Sequence, residues 1–258
     1  MSQYSKLPLE CFIENTTYGL ILSYPIYKAS EVCQRVAEMR CLGVHAVELV
    51  GEKHVYEMPI LGKGCVGIVV KAYTDAGEVA LKVRRLDADR GSMLREAEAI
   101  RRVNSLNIGP RLQGASANFI VMEYIQGKLL PVWVETLKGR GKVARLRKVL
   151  RMILEDCFKL DMAGIDHGEL SFAPKHIIIE ATDRPRIIDF ETASFTRRPS
   201  NVTSISQYLF IGSKTAKNIR RILGKIDDTA LIKVLKAYKN DKSRESFQRI
   251  ITISQLKP

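Results

Sequence analysis

The sequence has few cysteines and no pattern in them: Cys11, Cys33, Cys41, Cys65 and Cys157 are odd in number, and no two are spaced as CxxC. This argues against a disulfide framework or a cysteine zinc site and fits a reducing compartment. No apolar run approaches the roughly 20 residues a membrane helix needs, and no cleavable leader is read at the first residues. The expectation is a soluble, cytoplasmic chain with no membrane partner. Acid is scarce relative to base: 28 Asp and Glu against 41 Lys and Arg leave a formal net charge of +13. Much of the excess lies in Arg140, Lys142, Arg145, Arg147, Lys148 and Arg151, with further cations at Arg197, Arg198, Lys214, Lys217, Arg220 and Arg221. Such a surface can steer a protein to RNA or a ribosomal particle, while the plainer reading is a solvated helix face. With 258 residues, 46% of them hydrophobic, the chain is no disordered tail and can bury a substantial core.

What is present begins with Leu61-Gly-Lys-Gly-Cys-Val-Gly67, which carries Gly62, Gly64 and Gly67 in G-x-G-x-x-G spacing. Dinucleotide-binding units share that spacing, but there the third glycine opens a helix. Here Ile68 to Tyr73 is β-branched and aromatic, Thr74 to Gly77 reads as a turn, and Glu78 to Val83 alternates again, so the glycines belong to a hairpin. Glycine amides can approach phosphates in conformations that cost other residues energy, and Lys82 in Val79-Ala-Leu-Lys82 supplies a point charge behind them.

Before this hairpin, Ser30 is placed to cap a helix to about Leu42, with Val32, Val36 and Met39 on one stripe and Gly43 ending it. After it, Arg90-Gly91-Ser92 breaks the chain and a helix runs to about Asn104, with Met93, Ala97, Ile100 and Val103 facing the core. Glu96 lies on that apolar stripe. A carboxylate there needs a cation, and Lys82 is the expected partner. A second amphipathic helix is read from about Lys142 to Met162, buried through Leu146, Val149, Leu150, Ile153, Cys157 and Leu160. Beyond it, Asp166-His167-Gly168-Glu169-Leu170 enters an apolar strand, and a following strand ends in Asp189-Phe190-Glu191.

In this order, the glycine loop, Lys82, the buried strand Val121-Met-Glu-Tyr-Ile125, the H-G-E-L sequence and D-F-E resemble the protein-kinase superfamily. The closest likeness is to minimal lineages such as the RIO and KEOPS-associated kinases, which use H-G-D-L. The resemblance covers about residues 55 to 210. It implies an α+β, two-lobed protein-kinase-like fold, with a small antiparallel-sheet lobe carrying one helix and an abbreviated, mainly helical large lobe. The corresponding division is 1–50 as an N-terminal extension, 51–125 as the small lobe and 126–258 as the large lobe.

The implied function is an ATP-dependent serine/threonine protein kinase acting on a protein hydroxyl. By this likeness Gly62, Gly64, Gly67, Val69, Lys82, Glu96, Met122, Glu123 and Ile125 bind ATP, with Met122 as gatekeeper and the backbone of Glu123 and Ile125 meeting adenine. Asp189 holds Mg²⁺, and Glu169 orients the acceptor, making Glu169, Lys82 and Asp189 the catalytic set. The chain departs from the pattern at three places. Glu169 replaces an aspartate, Glu191 replaces the glycine of D-F-G, and His176 stands where an asparagine metal ligand is expected, 13 residues before Asp189. Imidazole suits Mg²⁺ less well than an amide oxygen, which admits Mn²⁺, a single metal, or a role for His176 without metal. Asp166 is a minor candidate for the base. No A-P-E motif follows. Two other functions stay open: a nucleotide-binding scaffold or slow ATPase associated with RNA or ribosomes, and a small-molecule phosphotransferase, for whose usual acceptor domain the chain has little room.

Overall fold

Along Gly67–Thr74 every second side chain, Ile68, Val70 and Ala72, is fully buried, and the strand turns at Gly77 (φ +113°) into its antiparallel partner Gly77–Arg84. In the computed structural model, which describes residues 6–89 and 91–257, this hairpin is the centre of an antiparallel sheet. The strand order is Leu7–Pro8, Val44–Glu48, Gly67–Thr74, Gly77–Arg84, Phe119–Glu123, Leu112–Ala115, with Gly62–Lys63 also pairing on Gly67–Thr74. Arg90, part of the break expected before the next helix, lies outside the described residues, as do Met1 to Ser5 of the extension.

The chain separates into two compact units, residues 1–101 with 110–124, and residues 102–109 with 125–258. In the first unit the N-terminal residues share one core with the glycine-rich hairpin: Leu9, Phe12, Leu22, Val32, Val36 and Met39 pack in the same cluster as Ile68, Val70, Leu81 and Val121. Helix Ala29–Cys41 begins one residue before Ser30, with Lys28 in the cap position and no side-chain cap bond, so Ser30 is not the cap. Gly43 (φ +75°) ends it as expected. On the same stripe sits Arg35, fully buried, donating to the carbonyls of Leu22 (2.5 Å) and Arg84 (2.6 Å) and to Asn118 Oδ1 (3.1 Å). Burial draws its pKa down to about 10, against the pull of Glu31, whose Oε2 lies 3.6 Å from Arg35 Nε.

The second unit is mainly helical. Its long helix Lys142–Met162 buries Leu146, Val149, Leu150, Ile153, Cys157 and Leu160 completely. A three-stranded antiparallel sheet of Gly127–Leu129, Ile177–Glu180 and Pro185–Ile187 lies ahead of helices Asn201–Phe210, Lys214–Leu223, Asp228–Asp241 and Arg244–Ile253. With antiparallel sheets and ten α-helices among the described residues, the fold class is α+β. No helix among those residues is long and apolar enough to cross a membrane.

Candidate functional site

The expected residues fall into two clusters, one in each unit. In the first unit Lys82 occupies the strand Gly77–Arg84, opposite Val69, and its side chain points to the helix Leu94–Asn104. Its Nζ donates to Glu96 Oε1 at 2.7 Å, and both residues are about 5% exposed or less. The helix places Glu96 here because Met93, Ala97 and Ile100 must face the core, which turns the one carboxylate on their stripe inward as well.

The glycines act differently from the expectation. None of Gly62, Gly64 and Gly67 has a positive φ among the described residues, so the loop does not use the left-handed conformations that only glycine adopts cheaply. Gly67 instead allows a close approach: a Cβ there would lie 3.1 Å from Lys82 Cε, from Lys82 Cγ and from the Val83 carbonyl, tighter than an ordinary contact. Gly62 pairs with Val69 in the sheet, and Gly64 N donates to Gly67 O at 2.8 Å. Met122 and Glu123 lie on the strand Phe119–Glu123, with Met122 opposite Ala80. The Glu123 amide is taken by Arg111 O (2.9 Å), and its carboxylate accepts from Arg111 N (3.0 Å). Ile125 opens the second unit.

In the second unit Glu169, His176 and Asp189 converge. His176 is 1% exposed, with Nε2 3.2 Å from Glu169 Oε2 and 3.7 Å from Asp189 Oδ2, in neither case in hydrogen-bond geometry. Burial lowers its pKa below the ordinary histidine value against the opposing pull of Asp189 and then Glu169. Asp189 has φ +68°, a left-handed backbone that a residue with a Cβ adopts at a cost of roughly 1–3 kcal/mol. Neighbouring structure holds it there: Phe190 is 1% exposed and its ring lies 4.9 Å from that of His167.

His167 is fully buried and its Nε2 meets the Ile188 carbonyl at 3.1 Å, which makes the neutral ring with the proton on Nε2 the form that fits. Burial pulls its pKa down to about 4. Behind it lies a network with no counterpart in the sequence reading. Asn201 Oδ1 accepts from His167 N (2.9 Å), its Nδ2 donates to Asp161 Oδ1 (2.8 Å) and to Ile165 O (2.6 Å), and Tyr238 donates to Asp161 Oδ2 (2.9 Å). Burial raises the Asp161 pKa, opposed by hydrogen bonds from Asn201, Val202 and Tyr238. Asp161 lies four residues after Cys157 on the buried stripe, so the logic that singles out Glu96 applies to it too.

Asp166 is not open as a base: Oδ2 accepts from Arg197 Nε (2.8 Å) and Oδ1 from Ser200 N (3.2 Å). No group of three or more His, Cys, Asp and Glu among the described residues forms a ready cage for a metal ion. Mg²⁺ keeps several waters and binds through one or two carboxylates plus substrate phosphates, so a complete protein cage is not required. The Asp189 carboxylate beside a buried imidazole whose nitrogens have no hydrogen-bond partner fits a divalent ion, and the nitrogen donor extends the fit to Mn²⁺.

Two cations of the basic run on the long helix are engaged in ion pairs. Arg145 holds Asp183 through two bonds of 2.6 and 2.7 Å, and Arg151 faces Glu155 at 4.0 Å, a carboxylate that also takes two bonds from Arg244.

No protein-family model matches the chain. The uncharacterized protein MJ1211 of Methanocaldococcus jannaschii is 35% identical to it over 102 residues, which is 40% of this chain and 83% of that protein. The chain belongs to the same family as that archaeal protein.

Proposed function

We propose that the chain is an ATP-dependent serine/threonine protein kinase of minimal, RIO-like type, in which the first unit is the small lobe and the second an abbreviated large lobe. The observation that carries the reading is the buried Lys82–Glu96 pair behind Gly67. A lysine taken almost wholly out of water is kept charged only if a carboxylate faces it, and the two residues come from a strand and a helix whose spacing already singled them out. In this reading Lys82 grips ATP phosphates under the strand that begins at Gly67, while Met122, Glu123 and Ile125 receive the base.

Asp189 and His176 would hold Mg²⁺ or Mn²⁺, which when bound neutralises charge on the phosphates. Glu169 accepts the hydrogen bond of the acceptor hydroxyl and orients it for attack on the γ-phosphate. The strained Asp189 backbone supports this assignment, because such features collect where geometry must be held. The alternative is an ATP-binding scaffold or ATPase that works with RNA; it is favoured by His176 in a ligand position and by Glu169 leaning on it.

The test is incubation with γ-labelled ATP and Mg²⁺ or Mn²⁺, with and without a protein extract, for wild type and for Lys82→Ala, Glu169→Gln and Asp189→Ala. Label on serine or threonine with wild type, lost in all three variants, supports the kinase. Release of ADP and phosphate without protein labelling favours the ATPase.

A further inference from the structure

Within the second unit the loop that carries Glu169 is tied to the segment that follows Asp189 by four hydrogen bonds, one of them from the side chain of Arg197. Asp166 and Ser194 exchange both backbone hydrogen bonds, at 2.9 and 2.8 Å, and Thr192 Oγ1 donates to the His167 carbonyl at 2.9 Å. Arg197 adds one side-chain bond across, Nε to Asp166 Oδ2 (2.8 Å), and is itself held within its segment by Nη2 to the Thr192 carbonyl (2.7 Å) and by its amide to Ser194 Oγ (3.1 Å). Between them lies Gly168, with φ +94°, where a Cβ would sit 2.6 Å from Arg197 Nη2 and 2.8 Å from Thr192 Oγ1. The guanidinium fork therefore occupies the space that the glycine leaves open. The next residue is Glu169.

We infer that Arg197 is a positioning residue for Glu169, holding the 166–169 loop against the segment 192–197 so that the Glu169 carboxylate is presented to the acceptor. This rests on the phosphoryl-transfer reading above. The same bond settles which of the loop's two carboxylates is offered: Asp166 is occupied by Arg197 and Ser200 N, with its side chain 10% exposed, whereas that of Glu169 is 37% exposed. A planar fork is needed because two acceptors, a carboxylate oxygen and a main-chain carbonyl, must be met at once, which an ammonium on a flexible stem does poorly.

The Arg197 side chain is 51% exposed, and half-exposed ion pairs contribute little to stability. A merely structural pair and a positioning residue thus differ in what they move. Transfer rate, ATP KM and thermal midpoint are to be measured for Arg197→Ala, Arg197→Lys and Asp166→Asn. Misplacement of a reacting group by about 1 Å can cost about 100-fold in rate, so Arg197→Ala is expected to lower kcat about 10- to 100-fold. ATP KM should stay within about twofold and the midpoint within about 3 °C. Arg197→Lys should recover little, methylguanidinium added to Arg197→Ala should restore part of the rate, and Asp166→Asn combined with Arg197→Ala should be no slower than the worse single variant. A wild-type kcat in Arg197→Ala, or a fall in kcat matched by lost stability and weakened ATP, overturns the inference while leaving the kinase reading intact. Absence of transfer by wild type overturns both.

Discussion

Replacing Glu96 with alanine removes the carboxylate to which Lys82 Nζ donates, in a place where water barely reaches. At a separation of 2.7 Å the gross attraction is ~6 kcal/mol at an effective dielectric constant of 20, most of it offset by the desolvation of both ions. The net worth of the pair is therefore small, but breaking it from one side is costly, by about 3–5 kcal/mol. Because the chain has two units, a global melt can mix two transitions. Hydrogen exchange of the amides in Gly67–Thr74 and Gly77–Arg84 reads the opening of the correct unit. Glu96→Ala should lower their opening free energy by about 3–5 kcal/mol. The double variant Lys82→Met with Glu96→Leu, which replaces the pair with apolar side chains of similar volume, should return to within about 1 kcal/mol of wild type or exceed it. The same double variant should no longer bind ATP. A single variant within about 1 kcal/mol of wild type would refute the buried-charge argument, and a double variant binding ATP as wild type does would assign the pair to structure alone.

Gly67→Ala pushes a methyl to 3.1 Å from Lys82 Cε and Cγ, and calorimetry should show weaker ATP binding with a stability loss of about 1–3 kcal/mol from overpacking. Arg35→Ala removes the donor to the Leu22 and Arg84 carbonyls, and at about 1–3 kcal/mol for each lost buried bond the same exchange measurement should fall by ~3 kcal/mol or more. His167 titrates near 4 when folded and 6.5 when unfolded, so between these values the unfolded state binds more protons. Its contribution is present in full above about pH 6.5 and falls by ~3 kcal/mol as pH drops to about 4. Denaturant unfolding of wild type and His167→Gln at pH 7 and pH 4.5 checks this; an equal loss in both proteins contradicts it.

Periodicity made the long elements legible: the helix Lys142–Met162 has the bounds its apolar stripe implies, and the hairpin follows from alternation either side of Gly77. Glu96 was legible for the same reason, as a charge on an apolar stripe. Arg35, on the stripe of Val32, Val36 and Met39, carries the same signal, and Glu31 four residues before it is its ion-pair partner at 3.6 Å, but its hydrogen bonds to the Leu22 and Arg84 carbonyls leave no mark in a sequence. Asn201 and Arg197 reach residues 40 and 31 positions away through loop geometry, and no spacing rule encodes such a contact. The loop glycines misled in a different way. Their spacing suggested unusual backbone angles, whereas Gly67 is fixed by how near Lys82 comes.

The most direct test of the central claim is single-turnover transfer from γ-labelled ATP by wild type and by Asp189→Asn, with the label followed to phosphoserine or phosphothreonine. Wild type should place label on a protein hydroxyl in a reaction that depends on a divalent ion, and Asp189→Asn, whose fold should be kept, should not. Equal labelling by Asp189→Asn, or binding of ATP by wild type with no label on any protein, would contradict it.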